Sequence, residues 1–310
     1  MVIALYVASY VAIPVAGRLR SKIDRERSRI TKIHHQPIQT GARKPYAPRL
    51  AALICFVRSQ KKNNMPPTER ISKIRSWSVH LFTASGAVLG FFALVSIATG
   101  NLGNATLLML AALFIDGIDG TLARAARVTE HVPQINGRRL DDIVDYLNFV
   151  IVPVFFLWGA GSVTHPIWLA APILASAYGF SREDSKTDDN FFLGFPSYWN
   201  ILAIYLWLLS VGPLGGTIWL AVLSIAVFIP MKYLYPSKVQ PMSLRFWLGV
   251  GALVWTAALV SCVRWPEVTA PLFVVEVSLL YPAWYMWLSV TRGGFSKVTT
   301  TGPESGAENN

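Results

Sequence analysis

Four aspartates carry the chemistry this chain could perform. Asp116 and Asp119 stand three apart in DGIDGTLARAAR, and Asp141 and Asp145 four apart in NGRRLDDIVDYLNFV. On a helix either spacing puts both carboxylates on one face. Two adjacent antiparallel helices could then turn four carboxylates toward one another. Such a group repels itself, and an aspartate at the centre of a membrane span costs about 2.5–3.5 kcal/mol. Divalent cations remove both penalties, and an all-oxygen donor set suits Mg²⁺ or Mn²⁺. Gly120 and Ala123 lie beside the first pair and Gly137 precedes the second. Side chains that small let the backbone or base of a ligand approach. Arg124 adds a fixed fork for a phosphate oxygen. Each residue alone would suit a solvated, salt-bridged interface. Taken together they suggest pyrophosphate chemistry.

The elements that must position these residues are membrane helices. The chain has 310 residues, 53% hydrophobic and only 15% charged, against about 25% charged in a soluble domain. No Asp, Glu, Lys or Arg occurs over residues 76–115, 146–181 or 190–231. Each run has room for two spans of about 20 residues and a turn. The expected fold is all-α, a polytopic membrane bundle of about eight transmembrane helices near residues 77–98, 103–124, 139–159, 164–181, 197–212, 215–233, 245–263 and 269–291. TGNLGN (99–104) and SVGPLGG (210–216) supply turn chemistry between spans.

The net charge of +11 is unevenly placed: residues 1–64 hold 13 Lys/Arg and two acids, whereas residues 65–310 hold 15 of each sign. A nucleic-acid partner therefore has little support, since basic tracts in membrane proteins commonly face anionic lipid. The expected division is a basic leader over 1–64, a catalytic membrane domain over 65–292 and a disordered polar tail over 293–310. Met65 offers an alternative start. With the segment before the first span in the cytoplasm, 14 Lys/Arg of the body fall on that side and only Arg264 on the other, as the positive-inside rule requires. The four aspartates then sit at the cytoplasmic interface. Cys55 and Cys262 show no metal or redox spacing.

The pattern Asp116-x2-Asp119-Gly120-x2-Ala123-Arg124, then Gly137-x3-Asp141-x3-Asp145, resembles the signature of the CDP-alcohol phosphotransferases. Twelve residues separate Arg124 from Gly137, whereas the family at large usually has eight. That longer gap, with LDDIVDY (140–146), KIRSWSVHLFTASGAVLG (73–90) and KTDDNFFLGFPSYWN (186–200), is similar to the bacterial phosphatidylcholine synthase branch. The resemblance covers roughly residues 70–290. It implies transfer of a phosphatidyl group from CDP-diacylglycerol to choline, with release of CMP, in a bacterial inner membrane with the site on the cytoplasmic side. It implies a pair of divalent ions, Mn²⁺ or Mg²⁺, on Asp116, Asp119 and Asp141. Asp145 would be the base, with a share in metal ligation. Gly120, Ala123 and Gly137 would shape the nucleotide site, and Arg124 would hold a phosphate.

Choline is a quaternary ammonium, bound by aromatic faces and carboxylates. Tyr146, Asp188, Asp189, Phe191, Phe192, Tyr198 and Trp199 are the candidates on the same side; each also fits an interfacial aromatic belt with solvated acids. Serine, glycerol phosphate and inositol phosphate are alternative acceptors. A phosphorylated acceptor would want an extra basic pocket. A transporter would place its acids near mid-membrane in repeated halves, and no repeat is visible. A scaffold protein would not require four aspartates in register. Glu276 lies in an apolar stretch with no evident partner, and His80, His131 and His165 are isolated. A homodimer remains open, since no residue fixes the oligomeric state.

Overall fold

The computed structural model describes residues 67–295, except Lys186, Asp188 and Asn190. The expected leader over 1–64, and the tail beyond 295, lie outside the described residues. Two long helices come first: α1 (Pro67–Ala98) and α2 (Leu102–Ala126). They pack together along much of their length. Asn101 caps α2 by accepting from the Asn104 N–H, which satisfies one of the free donors at a helix start. At the far end Arg127 turns left-handed (φ 49°), and its N–H closes onto the Ala123 and Arg124 carbonyls.

The twelve-residue gap has structure of its own. One helical turn, α3 (Val128–His131), follows Arg127, and Val128 and Val132 are buried. Asn136 then accepts from the Arg139 N–H and caps α4 (Gly137–Tyr146). A π-helical turn (Leu147–Ile151) joins α4 to α5 (Val152–Gly159), making one rod. α1 packs against α4 and α5 as well as α2. Close approach depends on Gly86 and Gly90. A Cβ at Gly86 would lie 2.9 Å from Val144 Cγ1, and one at Gly90 would lie 2.6 Å from Asn148 Oδ1. Such small-residue seams let membrane helices meet without a hydrophobic driving force.

The remaining helices are α6 (Ala170–Ser181), α7 (Trp199–Leu208), α8 (Pro213–Ala226), α9 (Met242–Arg264), the turn α10 (Pro266–Thr269), α11 (Val274–Ser278) and α12 (Leu280–Arg292). The main core gathers Val150, Phe156, Leu157, Trp199, Ile204 and Leu220. Large apolar side chains also cover the outside, among them Phe91, Phe92, Trp219, Trp247 and Val254. Water would disfavour so continuous an apolar surface; lipid does not.

Two points differ from the sequence expectation. Among the described residues α1, α2 and α9 are long and apolar enough to cross a membrane, and a fourth span arises if the bent pair 266–272 and 274–292, with 71° between its halves, counts as one. α7 has only ten residues, about 15 Å of rise, half the hydrocarbon thickness. The protein is thus a mostly helical membrane protein with three or four clear spans. The all-α expectation also missed a small antiparallel pair, β1 (Phe191–Leu193) on β2 (Lys232–Leu234). At the C-terminal end, the Lys232 N–H donates to the Gly294 carbonyl. Gly293 packs so close that a Cβ would stand 2.6 Å from the Lys232 carbonyl oxygen.

Candidate functional site

The motif aspartates meet where α2 ends and α4 begins. Asp116, Asp119 and Asp141 each offer one carboxylate oxygen, and these oxygens lie within 4.8 Å of one another. Asp119 is buried, and Thr83 of α1 hydrogen-bonds its side chain, as does the Gly120 backbone. Asp145 stands beside this trio, within hydrogen-bonding reach of Asp116. Two carboxylates 4.8 Å apart repel by about 3 kcal/mol at an effective dielectric of about 20. Oxygens so spaced fall within the span of one hard cation with metal–oxygen bonds of about 2.0–2.6 Å. The donor set contains only carboxylates, so it fits Mg²⁺ or Mn²⁺ better than a thiol- or imidazole-seeking metal.

The small residues sit as their chemistry requires. A Cβ at Gly120 would meet only the Arg124 guanidinium, at 3.6 Å. Arg124 is exposed and bonds Thr121 Oγ1 at 3.1 Å; among the described residues it makes no salt bridge, so its fork is available. Ala123 is half-buried and packs on the cluster of Val79, Ala126 and Val128. A Cβ at Gly137 would come within 3.3 Å of the His80 ring.

The aromatic and acidic candidates are more dispersed. Trp199 is fully buried and donates its indole N–H to Ser176 Oγ at 2.7 Å. Its indole is buried in the core. The Tyr146 hydroxyl donates to the Ile173 carbonyl, and its ring stands edge-on to Phe180. Asp189 is held by Lys232 Nζ at 2.7 Å and by the Thr187 hydroxyl. Lys232 also lies over the Phe191 ring. Phe192 stacks against Tyr235. Asp188 falls outside the described residues. Tyr198 comes near enough to Asp116 to feel its charge. Its hydroxyl lies 3.3 Å from that of Tyr285, which donates to the Leu234 carbonyl.

Three supporting residues carried no sequence signal. Thr83 orients Asp119. Asn148 fixes the rod by donating to the Gly86 and Val144 carbonyls at 3.0 and 3.1 Å. Asn136 caps the helix that bears Asp141 and Asp145. A polar residue in an apolar helix, such as Asn148, is a general hint of an interhelical hydrogen bond, but nothing in the order of residues names its partner. Glu276 is exposed on α11, just past the bend, and lies outside this constellation. An open apolar groove of ≈ 550 Å³ between α9 and α11–α12 contains none of the aspartates.

The protein is thus a helical membrane body with a carboxylate cluster where α2 ends and α4 begins. Residues 79–231 match the CDP-alcohol phosphatidyltransferase family. The chain is 38% identical over 236 residues to the phosphatidylcholine synthase of Legionella pneumophila, covering 73% of this chain and 92% of that protein. It is 41% identical over 175 residues to the phosphatidylcholine synthase of Borreliella burgdorferi, covering 56% of this chain and 75% of the relative. The phosphatidylcholine synthase of Rhizobium meliloti is 33% identical over 183 residues, covering 57% and 76%. This chain belongs to the CDP-alcohol phosphatidyltransferase family and is a transferase.

Proposed function

We propose that the protein transfers the phosphatidyl group of CDP-diacylglycerol to choline, giving phosphatidylcholine and CMP. The observation that carries this reading is the gathering of Asp116, Asp119 and Asp141 within 4.8 Å, with Asp145 alongside, in a chain similar to proteins named phosphatidylcholine synthase. Asp116, Asp119 and Asp141 hold the divalent ions, Mg²⁺ or Mn²⁺, with Asp145 sharing in their ligation. The bound ions supply charge neutralisation at the pyrophosphate and at the departing CMP.

The residues of the chain do the rest. Arg124 binds a phosphate oxygen through its free fork. Gly120, Ala123 and Gly137 leave space for the nucleotide. Asp145 accepts the choline hydroxyl proton as the hydroxyl oxygen bonds to the lipid-side phosphorus. The bond from that phosphorus to the CMP oxygen breaks, and CMP leaves with the electron pair. The acidic surroundings attract the choline cation, and Tyr198, close to Asp116, offers an aromatic face at about 0.5–2 kcal/mol per contact. Asp189, Phe191 and Tyr146 contribute less directly to choline binding, since each already has a protein partner, and Asp188 adds a further negative charge in the same stretch of sequence.

The same reading places the body in a bacterial inner membrane, with the acidic end cytoplasmic and eight helical segments crossing or entering the bilayer. The lopsided distribution of Lys and Arg supports that orientation. CDP-diacylglycerol suits such a position, because its pyrophosphate lies at the interface while its acyl chains stay in the bilayer. The test gives purified protein CDP-diacylglycerol and Mn²⁺ with labelled choline, serine or glycerol 3-phosphate in parallel. Labelled lipid and CMP are expected with choline. Product with serine alone would keep the family and reject the acceptor; no CMP with any acceptor would overturn the reading.

A further inference from the structure

Among the described residues two buried side-chain polar atoms lack a hydrogen-bond partner, His80 Nε2 and Asn200 Oδ1, and His80 is the one that packs against the start of α4. His80 of α1 is 6% exposed, and its Nε2 is buried with no hydrogen-bond partner among the described residues. Leaving a buried polar atom unmatched is unfavourable, so native chains seldom do so without a ligand or water to complete it. The position of this ring matters. It lies against Gly137, where a Cβ would be 3.3 Å from His80 Cε1 and 3.8 Å from Nδ1. Gly137 is one helical turn before Asp141 and on the same face of α4. Thr83, one turn beyond His80 on α1, hydrogen-bonds Asp119. One face of α1 thus presents His80 and Thr83 to both halves of the acidic site.

We propose that His80 is a substrate-contacting residue whose Nε2 hydrogen-bonds the nucleoside portion, base or ribose, of the CDP-linked lipid. The inference rests on the family reading of the site. The choline hydroxyl already has Asp145 as its partner in this reading. A quaternary ammonium has no hydrogen to donate and no lone pair to offer, and prefers aromatic faces and carboxylates. Acyl chains carry no polar atom to match it. The phosphates have Arg124 and the ions held by the aspartates. The nucleoside is the neutral polar portion, rich in carbonyl, amino and hydroxyl groups. Gly137, by lacking a side chain, lets the ring pack directly against the start of α4.

The test measures CMP binding to the purified full chain in the presence of Mn²⁺, together with KM for CDP-diacylglycerol and for choline. His80→Phe keeps a ring and removes the nitrogen. His80→Asn is smaller, cannot reach the same point, and decides the matter if the Phe variant does not fold. Both should bind CMP about five- to tenfold more weakly and raise KM for CDP-diacylglycerol similarly, with KM for choline within about twofold. A purely structural role would lower the thermal midpoint and leave CMP affinity unchanged. Unchanged CMP affinity in the folded variants, or a rise confined to the choline KM, would overturn the assignment. If the unaltered protein neither binds CMP nor turns over CDP-diacylglycerol, the family reading fails and this proposal with it.

Discussion

Replacing Gly90 by alanine should damage catalysis more than folding. The added Cβ would stand 2.6 Å from Asn148 Oδ1 and 3.1–3.2 Å from the Leu147 side chain. A contact near 2.6 Å must open by roughly 0.8 Å to reach ordinary packing distance. Asn148 cannot simply rotate away, because its amide donates to the Gly86 carbonyl on α1 and the Val144 carbonyl on its own rod. Overpacking costs about 1–3 kcal/mol, and an interhelical hydrogen bond in a membrane contributes about 0.6–2 kcal/mol. The total, about 2–5 kcal/mol, is relieved most cheaply if the α4–α5 rod shifts away from α1.

That shift is what catalysis would register. Asp145 is three residues before Asn148 on the same rod, whereas Asp116 and Asp119 are carried by α2. A displacement near 1 Å can cost about 10²-fold in rate. The expected result is a kcat reduced by about 10- to 100-fold and a thermal midpoint lowered by about 5–15 °C. Initial rates of CMP release in detergent micelles, read beside a melting curve, measure both. Gly249→Ala is the control: nothing lies within 4 Å of its Cβ position, and alanine gains about 1 kcal/mol in a helix interior. Gly90→Ala with kcat within twofold and an unmoved midpoint would refute the idea that Asn148 sets the register of the acidic helices.

Asp145→Asn should lower turnover by about 10²–10⁴-fold, the usual worth of a general base, while CMP binding with Mn²⁺ stays within a few-fold; near-normal turnover contradicts the base assignment. Chelation of divalent ions should abolish CMP release, and added Mn²⁺ or Mg²⁺ should restore it; full activity in excess chelator would remove the metal from the mechanism. Partial burial pushes the Asp189 carboxyl up, but the hydrogen bonds from Lys232 and Thr187, with the Lys232 charge, outweigh this and hold it below the usual range. Its contribution to stability is therefore complete above about pH 4 and lost as pH falls further. Amide exchange over Phe191–Leu193 should quicken below that point and should be faster at neutral pH in Asp189→Asn; identical exchange in the two proteins would show that the pair does not hold the strand.

The acidic centre was legible in the sequence because its signal is local. Spacings of three and four residues fix faces on a helix, and Gly120, Ala123, Arg124 and Gly137 lie close to the acids they serve. The packing around it was not, because its partners are remote. Thr83 is 36 residues from Asp119, and Asn148 is 62 from the Gly86 carbonyl it bonds. The surroundings of Trp199 were hidden for a related reason: an aromatic residue near a membrane end has the same local appearance whether its indole faces a ligand or donates to a neighbour such as Ser176. Composition also does not reveal helix length. The apolar stretch from 190 to 231 contains β1, a ten-residue α7 and the fourteen-residue α8, and hydropathy does not mark where a helix stops.

The π turn between α4 and α5 explains how one rod serves two purposes. At its N-terminal end the rod must aim Asp141 and Asp145 at α2; farther on it must bury Val150, Val152, Phe156 and Leu157. A uniform α-helix keeps a fixed phase of about 100° per residue, so a polar face and an apolar face that both point inward must lie along the same stripe. A π turn adds a residue to one turn and resets that phase between the two stretches. Asn148 lies within the turn and ties it to the Gly86 carbonyl of α1, so the reset occurs at a fixed height. The carboxylates of Asp141 and Asp145 can therefore be oriented by the capped start of α4, at Asn136, independently of the packing that holds α5 in the core. On this argument a variant that removes the extra residue, such as deletion of Leu147, should keep the protein in the membrane yet rotate Asp141 and Asp145 away from Asp116 by about 100°. It should lose CMP release entirely, and substantial activity in that variant would show that the π turn does not set the aim of the acids.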